Sequence, residues 1–308
     1  MQIALVGIGK IALDQHVPSI AASPDWELAA TVSRHGTVDG VEAFTDFDAM
    51  LAARPDIRVV SLCMPPVPRY DYAAKAIRAA RHVMLEKPPG ATLSECHALA
   101  DMAAAQRVSL YATWHSRSAD KVQAAKAWLA GKTLRKFTVT WKEDVRRWHP
   151  GQEWIWEPGG MGVFDPGINA LSIVTEILAD PIHVTSALLE VPENRQAPIA
   201  AKMAFHHPTA EVAMEFDWRQ EGDQTWSIEA ECDEGTLALH DGGARMLVDG
   251  AETGDETSAA LSGEYPRLYA RMSELVRAGT SDVDLAPMRH VADAFTLGRR
   301  ELVAPFTE

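Results

Sequence analysis

Met1-Gln2-Ile3-Ala4-Leu5-Val6-Gly7-Ile8-Gly9-Lys10-Ile11-Ala12 opens the chain, and its reading decides how the first half folds. An apolar run of strand length stops at Gly7, and the GxGxxA turn that follows leads into a stretch of helical composition. Glycines in such a turn let the main chain bend tightly and approach a pyrophosphate at a helix N-terminus, while the small Ala12 permits close helix–strand packing. Gly7, Gly9, Lys10 and Ile11 therefore form a candidate dinucleotide cradle, the alternative being a purely structural turn. The same opening run has no basic leader and no small-residue cleavage site, so it does not read as a secretory signal.

Outward from this turn, Leu28–Val32, Val59–Leu62, His82–Leu85 and Val108–Tyr111 repeat the β-rich signature of Ile3–Val6, separated by Ala-rich helical stretches. That rhythm predicts a parallel sheet flanked by helices, an α/β Rossmann domain over residues 1–120. Three strand ends carry candidate site residues. After the second strand come Ser33 and Arg34, where an NAD-specific site usually carries an acid for the ribose 2′-hydroxyl. A guanidinium beside a hydroxyl suits a 2′-phosphate, so NADP is expected in preference to NAD. The alternative is that Arg34 stacks on adenine or lies in solvent, leaving dual use. Cys63-Met64-Pro65-Pro66 either walls the cofactor cleft or is structural, with Cys63 and Pro65 the candidates. Glu86-Lys87-Pro88-Pro89 makes Glu86 and Lys87 further candidates at the cofactor cleft and sets Lys87 between a strand end and a proline turn, suited to act on a substrate hydroxyl, with an exposed surface lysine as the alternative.

Residues 121–308 read differently. Lys136–Trp141, Ile199–Phe205, Glu211–Trp218 and Trp226–Glu231 alternate apolar and polar residues, as strands with one buried face do. Helical stretches around Tyr265–Arg277 and Pro287–Glu301 are candidates to pack back on the first domain. The 308 residues hold 43 Asp plus Glu against 29 Lys plus Arg, a net charge of -14. Such a surface disfavours non-specific attraction to nucleic acid or anionic lipid. Cys63, Cys96 and Cys232 lie far apart without metal-ligand spacing, so neither a disulfide nor a structural metal is expected. With no apolar run of the roughly 20 residues a membrane helix needs, the expected location is cytoplasmic. Oligomeric state is not readable.

Taken together, the Gly7–Ala12 turn, Glu86-Lys87-Pro88 and Gly159-Gly160-Met161-Gly162-Val163-Phe164-Asp165-Pro166-Gly167-Ile168-Asn169 resemble the glucose–fructose oxidoreductase / inositol dehydrogenase (Gfo/Idh/MocA) family. Within it, Trp114-His115 and Trp141-Lys142-Glu143-Asp144-Val145-Arg146-Arg147-Trp148-His149-Pro150-Gly151 are similar to the L-arabinose / D-galactose 1-dehydrogenases. The resemblance implies a C-terminal α/β domain with an open, largely antiparallel sheet. It also implies oxidation of an aldopyranose at C1 to the aldonolactone, the hydride passing to a nicotinamide. Where the wider family usually has a histidine, this chain has Asn169, whose amide cannot exchange a proton near neutral pH and can only orient the sugar.

Lys87 is then the candidate base or proton relay, with Asp165 its rival or its orienting partner, and Asn169 completes the catalytic set. His115, Glu143, Trp148, His149, Asp165, Asn169 and Trp226 are the candidates for sugar recognition, Trp148 by stacking on the ring. Each of the tryptophans has a bland alternative as a core residue, and His149 as the cap of a loop core. Arg146 and Arg147 read as solvated or paired with nearby acids, or as ligands of an anionic sugar. L-Arabinose, D-galactose and 6-deoxygalactose share their C1–C4 configuration, so one pocket can accept all three. Rival readings are a dehydrogenase of another polyol or carbonyl compound, and a non-catalytic sugar or dinucleotide sensor on the same fold.

Overall fold

A computed structural model of the protein describes residues 1–254 and 263–307. The chain divides into two compact units, one of Met1–His115 with Leu261–Leu285, the other of Ser116–Ala260 with Ala286–Glu308. The second unit is therefore not the contiguous stretch 121–308 read from sequence. The helix Glu264–Ala278 returns to the first unit, whereas the next helix stays with the second.

In the first unit, β1 (Gln2–Val6), β2 (Glu27–Val32), β3 (Glu42–Phe44), β4 (Val59–Leu62), β5 (His82–Leu85) and β6 (Leu110–Ala112) form one sheet in the order β3-β2-β1-β4-β5-β6. Every pairing in it is parallel. This is the dinucleotide-binding strand order, which reverses beside β1. Strand periodicity sends alternate residues to opposite faces. Ala4, Val6, Val60 and Leu62 face one core with residues of α2 (Phe47–Ala53), α3 (Pro66–Arg78) and α4 (Leu93–Gln106). Ile3, Leu5, Val59 and Met84 face the other, with Ile20 of α1 (Val17–Ala22) and Tyr265, Leu268, Tyr269 and Met272 of the Glu264–Ala278 helix. Covering on both faces explains why β4 is buried throughout. Local signals set the helix ends. Asp46 accepts from the Ala49 amide at 2.7 Å to start α2, and Thr92 with Glu95 forms a capping box on α4.

The second unit is built on a nine-stranded sheet: β7 (Leu134–Lys142), β8 (His183–Pro192), β9 (Ala200–His206), β10 (Glu211–Asp217), β11 (Thr225–Cys232), β12 (Gly235–His240), β13 (Arg245–Val248), β14 (Ala251–Glu252) and β15 (Arg299–Val303). Their order is β14-β13-β12-β11-β7-β10-β9-β8-β15. Pairing is antiparallel except at β7–β10 and β8–β15. Phe137, Val139 and Trp141 of β7 and Val212, Met214 and Phe216 of β10 are buried on the inner face. Helices α5 (Val122–Leu129), α6 (Val145–Trp148), α7 (Phe164–Ile177) and α9 (Ala286–Leu297) belong to this unit, the returning helix being α8 (Glu264–Ala278). On the outer face Thr138, Thr140 and Lys142 stay half-exposed, so the sheet is open on that side.

The helical reading of Pro287–Glu301 overran. α9 stops at Leu297, and Arg299–Val303 is β15. Gly298 makes the break: its amide donates to Ala294 O at 2.8 Å, and a Cβ there would lie 2.4 Å from the same oxygen. Likewise the strand read from Val108 begins at Leu110. Among the described residues no helix is long and apolar enough to cross a membrane.

Candidate active site

The first unit holds the nucleotide-side residues. β1 ends in Gly7, at φ +89°, whose amide donates to Val32 O at 2.9 Å. A side chain there is excluded twice, by the left-handed backbone and by the Met64 amide nitrogen 2.8 Å from any added Cβ. Gly9 differs, because a Cβ built on it meets nothing within 4 Å. Among the described residues no side chain or backbone beyond its own neighbours requires glycine at this position, and the space over the turn is what close approach of a pyrophosphate needs. The following helix begins with the Leu13 amide donating to Gly9 O at 3.1 Å, which leaves the amides of its first turn to face a ligand. These features fit a dinucleotide phosphate. Lys10 and Ile11 are exposed on that turn, Lys10 paired with Asp14.

Beyond β2, Ser33 Oγ accepts from the Gly36 amide at 3.2 Å, and Arg34 is exposed beside it. Cys63 follows β4, its amide on Val6 O at 2.8 Å, and Pro65 stands at the start of α3. Arg69, which the sequence reading passed over, is buried on α3 and donates to the carbonyls of Met64, Glu86 and Pro88. It ties the loops after β4 and β5 together. Lys87 is half-buried in the second of these loops. The carboxylate of Glu86, the residue before it, points inward. It accepts from Tyr265 Oη at 2.6 Å and lies 3.4 Å from His16 Nε2. Burial alone would raise the Glu86 pKa, but the neighbouring His16 imidazole, helped by His115 and the Tyr265 hydroxyl, holds it far below the usual carboxylate range. His115 also belongs to this unit, with Nδ1 2.7 Å from Glu264 Oε2 and its ring stacked on Tyr265 at 5.5 Å. Burial opposes its charged form, yet Glu264 raises its pKa above the ordinary value.

The second unit brings most of the expected sugar-side residues together. Glu143 follows β7 and is 3% exposed. Its Oε1 accepts from Trp218 Nε1 at 3.3 Å and its Oε2 from Trp226 Nε1 at 2.9 Å. Trp226 stacks on Trp141 at 5.7 Å and meets the Trp148 ring at 5.6 Å. Trp148 is the exposed member of this wall, its indole donating to Gln224 at 2.9 Å. His149, which caps α6, has Nε2 3.3 Å from Asp165 Oδ2 and its ring 5.5 Å from that of Trp218. Asp165 is buried in the first turn of α7, where the helix dipole favours an anion. Asn169 sits one turn further along the same face, half-buried.

The glycine run before α7 has packing reasons. A Cβ on Gly160 would fall 2.2 Å from Trp154 O, and one on Gly162 2.3 Å from Pro198 O. These close approaches seat the start of α7 against neighbouring backbone. Arg146 is spent on Asp144 at 2.9 Å and Glu221 at 2.6 Å, and Arg147 lies over the Trp148 ring. Trp218 was missed in sequence, although it continues the inward alternation Val212, Met214, Phe216.

Residues 1–113 match the family described as oxidoreductase family, NAD-binding Rossmann fold (Gfo/Idh/MocA). The chain is 43% identical over 307 residues to galactose 1-dehydrogenase of Pseudomonas fluorescens, covering 99% of this chain and 98% of that protein. It is 27% identical to D-glucoside 3-dehydrogenase of Escherichia coli over 85% of the chain and 71% of that protein. The crystal structure of a D-galactose-1-dehydrogenase protein from Rhizobium etli matches with a TM-score of 0.94 at 56% identity, covering 99% of this chain and 97% of that one. A 3-ketoreductase from Actinomadura kijaniata, in complex with NADP and TDP-benzene, shares the fold alone, with a TM-score of 0.83 at 18% identity over 98% of this chain and 99% of that one. A parallel Rossmann sheet with its glycine turn, a mixed second sheet and likeness along almost the whole chain lead to one assignment: the protein is an oxidoreductase of the Gfo/Idh/MocA family.

Proposed function

We propose that the protein oxidises an aldopyranose of the D-galactose, L-arabinose or 6-deoxygalactose type at C1 to the aldonolactone, preferring NADP and accepting NAD. The observation that carries this reading is the Glu143 carboxylate, held by two indoles beside the Trp148 ring, with the His149–Asp165 pair in the same unit. Fixed acceptors next to an aromatic face suit a neutral sugar, whose hydroxyls need partners and whose C–H face needs apolar cover. Likeness to two galactose 1-dehydrogenases supports the substrate class. Exposed Arg34, which pairs with no acid among the described residues, supports a 2′-phosphate.

In the reaction the anomeric hydroxyl gives up its proton and the C1 hydrogen leaves with its electron pair, so the sugar loses two electrons and forms a lactone carbonyl. Bound NADP supplies the hydride acceptor. Lys87 takes or relays the hydroxyl proton, Asp165 remains an anion that accepts a sugar hydroxyl, and Asn169 orients the sugar without exchanging a proton. Glu143 and His149 hold further hydroxyls, and Trp148 covers the ring. Gly7, Gly9, Lys10 and Ile11 receive the pyrophosphate through the main chain.

Initial rates of nicotinamide reduction with L-arabinose, D-galactose, 6-deoxygalactose, D-glucose, D-xylose and myo-inositol test the proposal. Rapid reduction with the first three sugars is expected, faster with NADP. No reduction with any of those three overturns it. Lys87→Ala is expected to lower kcat by about 10²–10⁴-fold while dinucleotide affinity, read by fluorescence titration, stays within about twofold.

A further inference from the structure

Beneath Lys87 lies a buried polar network that the proposed chemistry does not use directly. Glu86 is 4% exposed and meets three elements. Its Oε1 accepts from the Tyr265 hydroxyl on α8 and faces His16 Nε2, while Oε2 accepts the backbone N–H of Lys87. His16 is 1% exposed, and its Nδ1 lies 2.7 Å from the Tyr269 hydroxyl. The 3.4 Å contact from Nε2 to Glu86 lacks hydrogen-bond alignment and is an ion pair when the imidazole is protonated.

His16 ends a π-turn, Ala12–His16, placed between the glycine turn and α1. Such wide turns are rare and recur at functional sites. A buried ion pair is costly to desolvate and is weak evidence for stability, since apolar side chains fill the same volume as well. What they cannot do is accept the Lys87 amide proton. Nor can they join the loop after β5 to the helix that begins at the dinucleotide turn.

We infer that His16, Glu86 and Tyr265 are positioning residues of the oxidation, fixing the main chain at Lys87 and tying it to the nucleotide-binding turn. The inference rests on the proposed role of Lys87 in proton transfer. None of the three need touch the sugar, because each acts through the Lys87 backbone. Among the described residues, the other titratable groups facing the network are Cys63, Tyr269, His115 and Glu264.

The test uses full-length Tyr265→Phe and Glu86→Gln with two readouts. One is the split between kcat and KM for the sugar. The other is the pH profile of Lys87 acetylation by N-hydroxysuccinimidyl acetate in sugar-free protein, followed by peptide mass spectrometry. In folded Tyr265→Phe, kcat is expected to fall at least about tenfold with KM within about twofold, and the acetylation profile to move from that of the parent protein. An unchanged acetylation profile in a folded variant overturns the inference even if kcat falls, since the network then serves the fold alone. If Glu86→Gln does not fold, Tyr265→Phe decides, because removing one hydroxyl leaves the ring packed. If the parent protein oxidises none of the sugars, the proposed reaction fails, and the acetylation profile still decides the positioning role.

Discussion

Arg34 and Glu143 show how much one side chain can decide. Arg34 stands exposed after β2, where an acid would bond a ribose hydroxyl and repel a phosphate. Arg34→Asp is expected to lower the NADP-to-NAD ratio of kcat/KM by about tenfold or more, equivalent to the loss of one charge-assisted contact of about 1.5–3 kcal/mol. An unaltered ratio removes Arg34 from the phosphate site. Glu143 poses the opposite case, a carboxylate with both oxygens engaged by Trp218 and Trp226. Glu143→Gln leaves one indole N–H facing an amide NH₂, which costs about 1–3 kcal/mol. The expected result is a rise of about tenfold in galactose KM with a smaller change in kcat, read from initial rates. An unchanged KM would assign the carboxylate to the tryptophan core alone.

At the scale of the element, the turn between β1 and its helix uses its two glycines for different reasons. Gly7 is imposed from within, by φ +89° and by the Met64 amide 2.8 Å from any Cβ. Gly9 has no such internal reason among the described residues, as nothing beyond its adjoining residues lies within 4 Å of its Cβ position. Gly9→Ala is therefore expected to fold with an unchanged melting temperature and to weaken dinucleotide binding by about tenfold or more, because the added methyl meets only the phosphate. Gly7→Ala should lower the melting temperature as well, since it combines a strained backbone with a steric clash. Calorimetry beside fluorescence titration separates the two. Equal losses of stability in both variants would mean that the turn is structural throughout.

Across the whole molecule, buried charge makes stability depend on pH. In His16 burial works against the imidazolium, but Cys63, Tyr269 and Glu86 hold its pKa well above 6.5. A group with a raised folded-state pKa contributes fully below its unfolded value and loses that contribution as pH rises through the folded one. Glu86 is depressed from 4.5, so its contribution is present above that value and is lost on acidification through the folded one. The pair therefore stabilises most between roughly pH 4.5 and 6.5, with decline on either side. Urea midpoints from about pH 4 to 9 should fall above neutrality in the parent protein and more shallowly in His16→Gln. Parallel curves would show that His16 is uncharged in the fold.

The sequence by itself determined five of the six strands of the first sheet and the glycine turn, because strand periodicity, turn chemistry and short motifs are local properties of the chain; the three-residue edge strand Glu42–Phe44 is too short to carry such a signal. The strands Val59–Leu62 and His82–Leu85 fall where their β-branched runs stand, and the Gly7–Ala12 turn follows β1. Tertiary structure alone decided that, of the two helical stretches offered as candidates to pack back, only Glu264–Ala278 returns to the first unit, that Arg299–Val303 leaves a helical stretch to pair with β8, and that Glu86 turns inward to Tyr265 and His16. Each depends on partners far away in the chain. Glu86 and Tyr265 are 179 residues apart, and Trp226 lies 83 residues beyond Glu143. The side chain's own chemistry says that a buried carboxylate needs donors; only the folded chain says which residues supply them.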